Sequence, residues 1–308
     1  MDAVLGYLSA TKEWAEKNKK PNLWKKYWID PTSRNIHFIG KDNIPFHVIV
    51  FPGLLLASKQ GYNLPWEVSS TEYVQFEGQR FSKSRKIGVW IDEALALEES
   101  EYWRYALISL RPEQKDTNFT WEEFERKINT ELNDALGNFI HRTITFIVTR
   151  FDGKVPRFKT DHSRHIEALK NLSEKSRLVD EKLSHFRLKD ALETIVQQSR
   201  DGNKFLNENE PWQTIKTDAA SAQQTVGTAV QIVATIAIQI QPFLPNTASR
   251  IRKSLQLKNA DWKYAGENNL KPGRKILPMK PLFHKVSAQE LRSRIEKIRS
   301  ETTIEAET

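Results

Sequence analysis

The stretch "AVQIVATIAIQIQPFLP" at residues 229–245 constrains the fold more than any other part of this 308-residue chain. It holds no charged residue and is apolar enough that it has to be buried in something. A bilayer is one possibility. Gln231, Gln239 and Gln241 interrupt the run, only polar "SAQQTVGT" extends it upstream, and Pro242 ends it, so the better reading is a helix inside a helical bundle.

The sequence around this stretch agrees. From "WIDEALALEESEYWRYALISL" onward the apolar period is helical and largely stays so. "RPEQKDTNFTW" (111–121) is a polar connection in which Thr120 or Asn118 caps a long helix over residues 121–151. Further helices are expected at 163–182, 187–209 and 218–241, with a break at "EPW" (210–212) and a shorter helix in "FLPNTASRIRKSLQ". Four or five antiparallel helices with short polar loops form a bundle. The charged tail, "VSAQELRSRIEKIRSETTIEAET", is expected to dock through Leu291, Ile295 and Ile298 before fraying.

Residues 1–98 read differently. "AVLGYLSATKEWAE" has helical period, "NIHFIG" is a short β-run, Asp42 and Asn43 are candidate caps for a helix in "IPFHVIVFPGLLLASKQ", and "TEYVQFEG" is a second strand. Strand, helix, strand, loop is the grammar of an α/β nucleotide-binding domain. The expected fold class is therefore α/β plus all-α.

Nine tryptophans and fifteen phenylalanines indicate a folded chain, and 47 basic against 39 acidic residues favour a polyanionic partner without proving one. Without cysteine there is no disulfide, thiolate nucleophile or Cys-ligated zinc, and the seven histidines lack HxxxH or HExxH spacing, so no metal site is assigned. The N-terminus carries charges too early for a secretory signal, and a cytoplasmic location is expected.

"GQRFSKSRK" (78–86) poses the functional question. Four cations, two serines around Lys83 and nearby glycines suit either a solvated basic turn or a loop that closes over phosphates. Its neighbours decide the matter. "HFIGKDNIPFHVIVFPGLLLA", "EYVQFEGQRFSKSR" and "GVWIDEAL" strongly resemble the second half of methionyl-tRNA synthetase in its archaeal and eukaryotic branch, and "RFSKS" (80–84) resembles the class I signature KMSKS. Lys86 stands where that family usually has glycine. "NFIHR" matches the family's NxxxR anticodon element, and "NKFLNENEPWQTIK" matches the stretch ending in its anticodon-stacking tryptophan, so the resemblance runs to about residue 290.

That resemblance implies roles. Lys83, with Arg80 and Ser82, would neutralise charge on the departing pyrophosphate of ATP, and Phe81 and Ser84 complete the ATP-binding motif. Tyr7, Asp42 and His47 match positions lining the methionine pocket; Asn138, Arg142 and Trp212 match the anticodon readers. Asn138 and Arg142, four apart, fall together on a helix face away from Leu132, Leu136, Phe139, Ile140 and Ile147. "SRIRKSLQLK" (249–258) is either a source of phosphate contacts or a solvated face.

"MDAVLGYL" resembles a W-x-D-A-x-x-G-Y segment inside the family's catalytic domain, placing Met1 in mid-domain, and no HxGH sequence occurs in the chain. The expectation is a C-terminal part of the enzyme: residues 1–117 as the second half of a class I Rossmann-type catalytic domain, 118–270 as an anticodon-binding helix bundle, and 271–308 as an extension. A separate half bearing HIGH and the zinc-binding insertion would complete it, and the pair would use ATP with Mg²⁺, methionine and tRNA(Met). The alternatives are a tRNA-binding or assembly module without synthetase chemistry, and a piece cut from a longer enzyme.

Overall fold

Parallel pairing of two short strands organises the first of two compact units into which the chain divides. The structure, a computed structural model, describes residues 2–258 and 261–307, so Met1, Asn259, Ala260 and Thr308 lie outside it, as does the expectation about Met1; side chains of Asp2 and of residues 302–307 are likewise not described, which leaves the expected fraying of the tail untested. The first unit comprises residues 1–74 and 112–117, and the second residues 75–111 and 118–308.

In the first unit, helix α1 (Asp2–Lys17) buries Val4, Leu8 and Ala15, spaced to share one face. Short α2 (Lys25–Trp28) supplies Trp28, and α3 (Phe51–Ala57) supplies Phe51 and Leu55, giving one core of Val4, Leu8, Trp28, Phe51 and Leu55. Burial of each such large side chain stabilises by about 1.5–3 kcal/mol. Strand β1 (Asn35–Gly40) runs parallel to β2 (Pro65–Thr71), from Ile36 opposite Glu67 to Gly40 opposite Thr71. Parallel neighbours need a crossover, here built from a 3₁₀ turn (Lys41–Asn43), a π-helical turn (Phe46–Val50) and α3.

Two expectations fail here. Neither Asp42 nor Asn43 caps a helix: both lie inside the 3₁₀ turn, ahead of the position whose side chain faces the first free N–H groups. The single strand expected in "TEYVQFEG" is two elements, since β2 ends at Thr71 and the pairing that begins with β3 (Val74–Phe76) is antiparallel.

In the second unit β3 pairs with β4 (Gln79–Arg80) through a two-residue turn, Glu77–Gly78, in which both residues have positive φ (49° and 74°). That is the turn whose twist suits a tight hairpin, so Gly78 serves conformation rather than mobility. Helices α4 (Ile91–Leu97) and α5 (Ser100–Ser109) follow, and β5 (Thr117–Phe119) completes the sheet order β4-β3-β5. Thr120, not Asn118, caps α6 (Trp121–Arg126) by accepting from the Glu123 N–H at 3.1 Å; Asn118 instead accepts from the Gly78 N–H at 2.8 Å. The long helix expected from 121 is interrupted in hydrogen-bond register by a π-helical segment, Lys127–Gly137, before α7 (Asn138–Arg150).

Helices α8 (Ser163–Ser184), α9 (Leu188–Asn209), α10 (Pro211–Thr217), α11 (Ala219–Gln239) and α12 (Pro245–Leu255) follow, and α13 (Ala288–Glu307) is the last. The opening stretch behaves as its composition demands: every residue from 224 to 239 is buried, and α11 packs on α7, α8, α9, α10 and α12. Gln231 is accommodated by acting as a backbone mimic, accepting from the Leu270 N–H (3.0 Å) and donating to its carbonyl (2.7 Å). Among the described residues no helix is long and apolar enough to cross a membrane. Leu291 and Ile295 dock α13 as expected.

Candidate functional site

The candidate residues fall into three groups, one in the first unit and two in the second. In the first, the Tyr7 hydroxyl lies 3.0 Å from His47 Nε2, and His47 Nδ1 lies 2.9 Å from the Asn43 carbonyl. A carbonyl only accepts, so in the neutral ring Nδ1 carries the proton and Nε2 accepts from Tyr7. His47 is buried and Tyr7 is partly exposed, which leaves the phenol ring as the accessible member. Asp42 sits apart from this pair in its bonding: exposed at the carboxyl end of β1, its carboxylate accepts from the Tyr73 hydroxyl. The carboxyl ends of parallel strands are where open α/β sheets place ligands. Lys41 pins the same turn through Glu72 and through Asp116 at 3.2 Å.

A third ring completes the group. His37, on the one fully buried position of β1, stands 5.3 Å from the Tyr7 ring and 5.2 Å from the His47 ring, with Phe51 5.8 Å away. Its Nε2 and the neighbouring Asn35 Nδ2 are buried without hydrogen-bond partners and border a cleft of about 550 Å³ that Tyr7 and Trp28 also line. Sequence reasoning missed His37: in "NIHFIG" the apolar alternation falls on Ile36 and Phe38, yet both are exposed in the structure and His37 is the buried position.

Burial, and then the charge of His47, push the His37 imidazole below its ordinary value. The unfolded chain therefore takes up that proton first as pH falls below about 6.5, so this contribution to stability is complete above that pH and lost below it. Urea melts between neutral pH and about pH 5 are expected to show a steeper loss in the unaltered chain than in His37→Phe. Parallel profiles would show that His37 is protonated in the folded state at no cost.

In the second unit, Ser82 and Ile87 exchange reciprocal backbone hydrogen bonds of 2.9 Å around the turn 83–86, which the Lys86 N–H closes onto the Lys83 carbonyl at 3.1 Å. Arg80, Lys83, Arg85 and Lys86 are exposed around that turn. The hydroxyls of Ser82 and Ser84 lie 3.3 Å apart, and Arg85 Nε donates to Ser82 Oγ at 3.4 Å. Lys86 closes the hairpin with φ 53°, a left-handed conformation that glycine adopts freely and a lysine adopts at a cost of about 1 kcal/mol. Gly88 (φ 137°) is required for a second reason: a Cβ there would stand 2.5 Å from the Phe81 ring.

The third group lies on α7, α9 and α10. The Arg142 guanidinium donates to Asn207 Oδ1 (3.0 Å) and Asn203 Oδ1 (3.4 Å) and lies over the Trp212 ring, 5.0 Å from its centroid. Asn203 is oriented for this by donating its own amide to the Ala135 carbonyl at 2.9 Å. Trp212 is placed by a left-handed Glu210 (φ 38°) followed by Pro211 at the start of α10, where proline needs no donor. Asn138 is exposed and shares a cleft of about 640 Å³ with Arg142, Asn203 and Asn207. Close approach of α7 and α9 depends on Gly202, where a Cβ would meet the Phe139 ring at 2.3 Å. Sequence reasoning missed Asn203 and Asn207; their position four apart in "NKFLN", on the helix leading to Trp212, is the signal. In "SRIRKSLQLK", Arg250 donates to the Leu282 and Pro281 carbonyls and Arg252 to Gln241, so part of that charge run is engaged within the fold.

This chain holds part of a class I aminoacyl-tRNA synthetase together with its anticodon-binding region. The family model for class I tRNA synthetases (M) matches residues 1–144, and that for the anticodon binding domain of methionyl tRNA ligase matches residues 155–302. The methionine–tRNA ligase of Thermofilum pendens is 44% identical over 302 residues, covering 97% of this chain and 53% of that protein. That of Korarchaeum cryptofilum is 40% identical, again over 97% of this chain and 53% of its own. Among solved structures, Mycobacterium tuberculosis methionyl-tRNA synthetase bound by methionyl-adenylate superimposes with a TM-score of 0.79 at 25% identity, over 92% of this chain and 55% of that one. The chain belongs to the methionyl-tRNA synthetase family, and spans about half the length of the curated relatives it matches.

Proposed function

We propose that this chain supplies the Lys83 loop, part of the methionine pocket and the tRNA(Met) anticodon-reading face of a methionine–tRNA ligase in the cytoplasm, and acts with a complementary half that bears the HIGH signature. In this reading residues 1–117, 118–270 and 271–308 are the catalytic half-domain, the antiparallel anticodon bundle and the extension. Attack of the methionine carboxylate on the α-phosphate of ATP forms the acyl-phosphate bond and breaks the bond to the β-phosphate. Lys83, aided by Arg80, the Ser82 and Ser84 hydroxyls and the packing of Phe81, meets the charge that builds on the leaving pyrophosphate. Tyr7 and His47 border the thioether with polarisable rings, and Asp42 reaches the ligand from the end of β1. Asn138 and Arg142 contact base edges while Trp212 stacks on an unstacked base.

Among the described residues no group of three or more His, Cys, Asp or Glu side chains is arranged to hold a metal ion. In the proposed reaction Mg²⁺ would be held by the phosphates of ATP, whose charge it neutralises.

The observation that carries the proposal of a second half is the apolar surface of the first unit. Phe38, Phe46, Val48, Ile49 and Leu56 are 57, 47, 48, 68 and 64% exposed, all on or beside the crossover that follows β1. Such a patch is characteristic of a surface buried by another chain segment. Methionine-dependent ATP–pyrophosphate exchange is expected only when this chain is mixed with a HIGH-bearing half, and the two should co-elute as a stable complex on size exclusion. A well-folded monomer that ignores that half but binds tRNA would leave the non-catalytic binding module as the correct reading.

A further inference from the structure

The chemistry above makes no use of the last helix, yet α13 reaches the stem of the Lys83 turn. Arg299 Nη2 donates to the Gly88 carbonyl at 2.5 Å and to Glu93 Oε2 at 2.9 Å, Nε donates to Glu93 Oε1 at 2.7 Å, and Nη1 lies 3.4 Å from the Lys86 carbonyl. Glu93 is nearly buried and also accepts from the Trp90 N–H at 2.9 Å, fixing the start of α4. Two more arginines extend the contact: Arg292 pairs with Glu77 of the β3–β4 turn at 2.9 Å, and Arg294 with Glu98 at 3.3 Å.

We propose that Arg299 is a positioning residue for the ATP-binding loop: from α13 it holds the Lys86 and Gly88 carbonyls against Glu93 and so fixes the stem on which Lys83 is carried. The inference rests on the reading of Lys83 as a phosphate-binding residue. Its physical basis is the planar guanidinium, which serves a carboxylate and two carbonyls at once; an ammonium group lacks that fork. The residues gripped are the two whose backbones are left-handed, Lys86 and Gly88, where the chain reverses out of the turn. Burial alone would raise the Glu93 carboxyl, but hydrogen bonds from Arg299 and Trp90 and the charges of Arg299 and Lys86 hold it below its ordinary value, so the grip is charged at neutral pH.

Trypsin reports the loop directly, because Arg80, Lys83, Arg85 and Lys86 are all cleavage sites. In Arg299→Ala, cleavage there, measured well below the melting temperature of each variant, is expected to rise about tenfold, the size of one charge-assisted hydrogen bond lost. In exchange assays with the complementary half present, KM for ATP should rise by a similar factor while KM for methionine stays constant, and Arg299→Lys should fall between the two. Glu93→Gln, which keeps an amide at the start of α4, should move both readouts in the same direction, and the double variant should be no worse than Arg299→Ala. Unaltered cleavage in both folded single variants, or faster cleavage with unaltered KM for ATP, overturns the proposal. If the unsubstituted mixture shows no exchange, the reading of Lys83 fails instead, whatever the protease finds.

Discussion

Replacing Lys83 with alanine is expected to slow methionine-dependent pyrophosphate exchange by on the order of 10² to 10³, measured with the complementary half present, and to leave tRNA affinity nearly intact. Lys83 is exposed at the tip of a four-residue turn held by the Ser82–Ile87 backbone pair and the Lys86-to-Lys83 hydrogen bond, none of which uses its side chain. The variant should therefore fold as the parent does, and its defect should appear in kcat more than in KM for methionine, because the leaving pyrophosphate gains charge only as the transition state forms. Arg85→Ala, two residues further along the turn and engaged with Ser82, is the control and should cost far less. Equal losses in the two variants would reduce Lys83 to one member of a diffuse positive field.

Trp212→Ala is expected to weaken tRNA(Met) binding by about 1–3 kcal/mol, the worth of one base–aromatic stack, with amino-acid activation unaffected. The indole sits beside Pro211, and the Arg142 guanidinium covers one of its faces, so a base is expected to meet the other. Trp212→Phe keeps a stacking surface and should recover most of the affinity. Filter binding at two salt concentrations separates this from a loss of phosphate contacts, since removal of a neutral ring leaves the salt slope unchanged. A changed slope would show that phosphate contacts are lost with the ring, and loss of activation in Trp212→Ala would show that the tryptophan holds the fold instead.

Residues that must be buried or that carry a motif were readable from sequence. The uncharged run ending at Pro242 marked α11, the short β-run "NIHFIG" marked β1, and the order of "HFIGKD", "RFSKS" and "NFIHR" marked the family. What escaped depends on contacts that are distant in sequence. Strand β2, "PWEVSST", opens on proline, carries a glutamate and two serines among its β-favouring residues, and pairs in parallel with β1. The π-helical segment 127–137 was invisible because a change of hydrogen-bond register barely disturbs the spacing of apolar side chains over so short a length. Asp42 has the chemistry of a cap, and only the fold shows that Tyr73 takes its carboxylate. Lys86 takes a left-handed conformation that suits glycine, and the lysine occupies it under mild strain.

Gly202 gives the helical face a sensitivity out of proportion to its size. It touches no candidate ligand, yet the absent Cβ lets α9 lie against Phe139 closely enough for Asn203 and Asn207 to hold Arg142. A methyl group there would act as a shim, parting the two helices and releasing the guanidinium into many orientations. On the proposed reading of this face, selectivity for an anticodon would then decline through lost rigidity, with Asn138, Arg142 and Trp212 all still present.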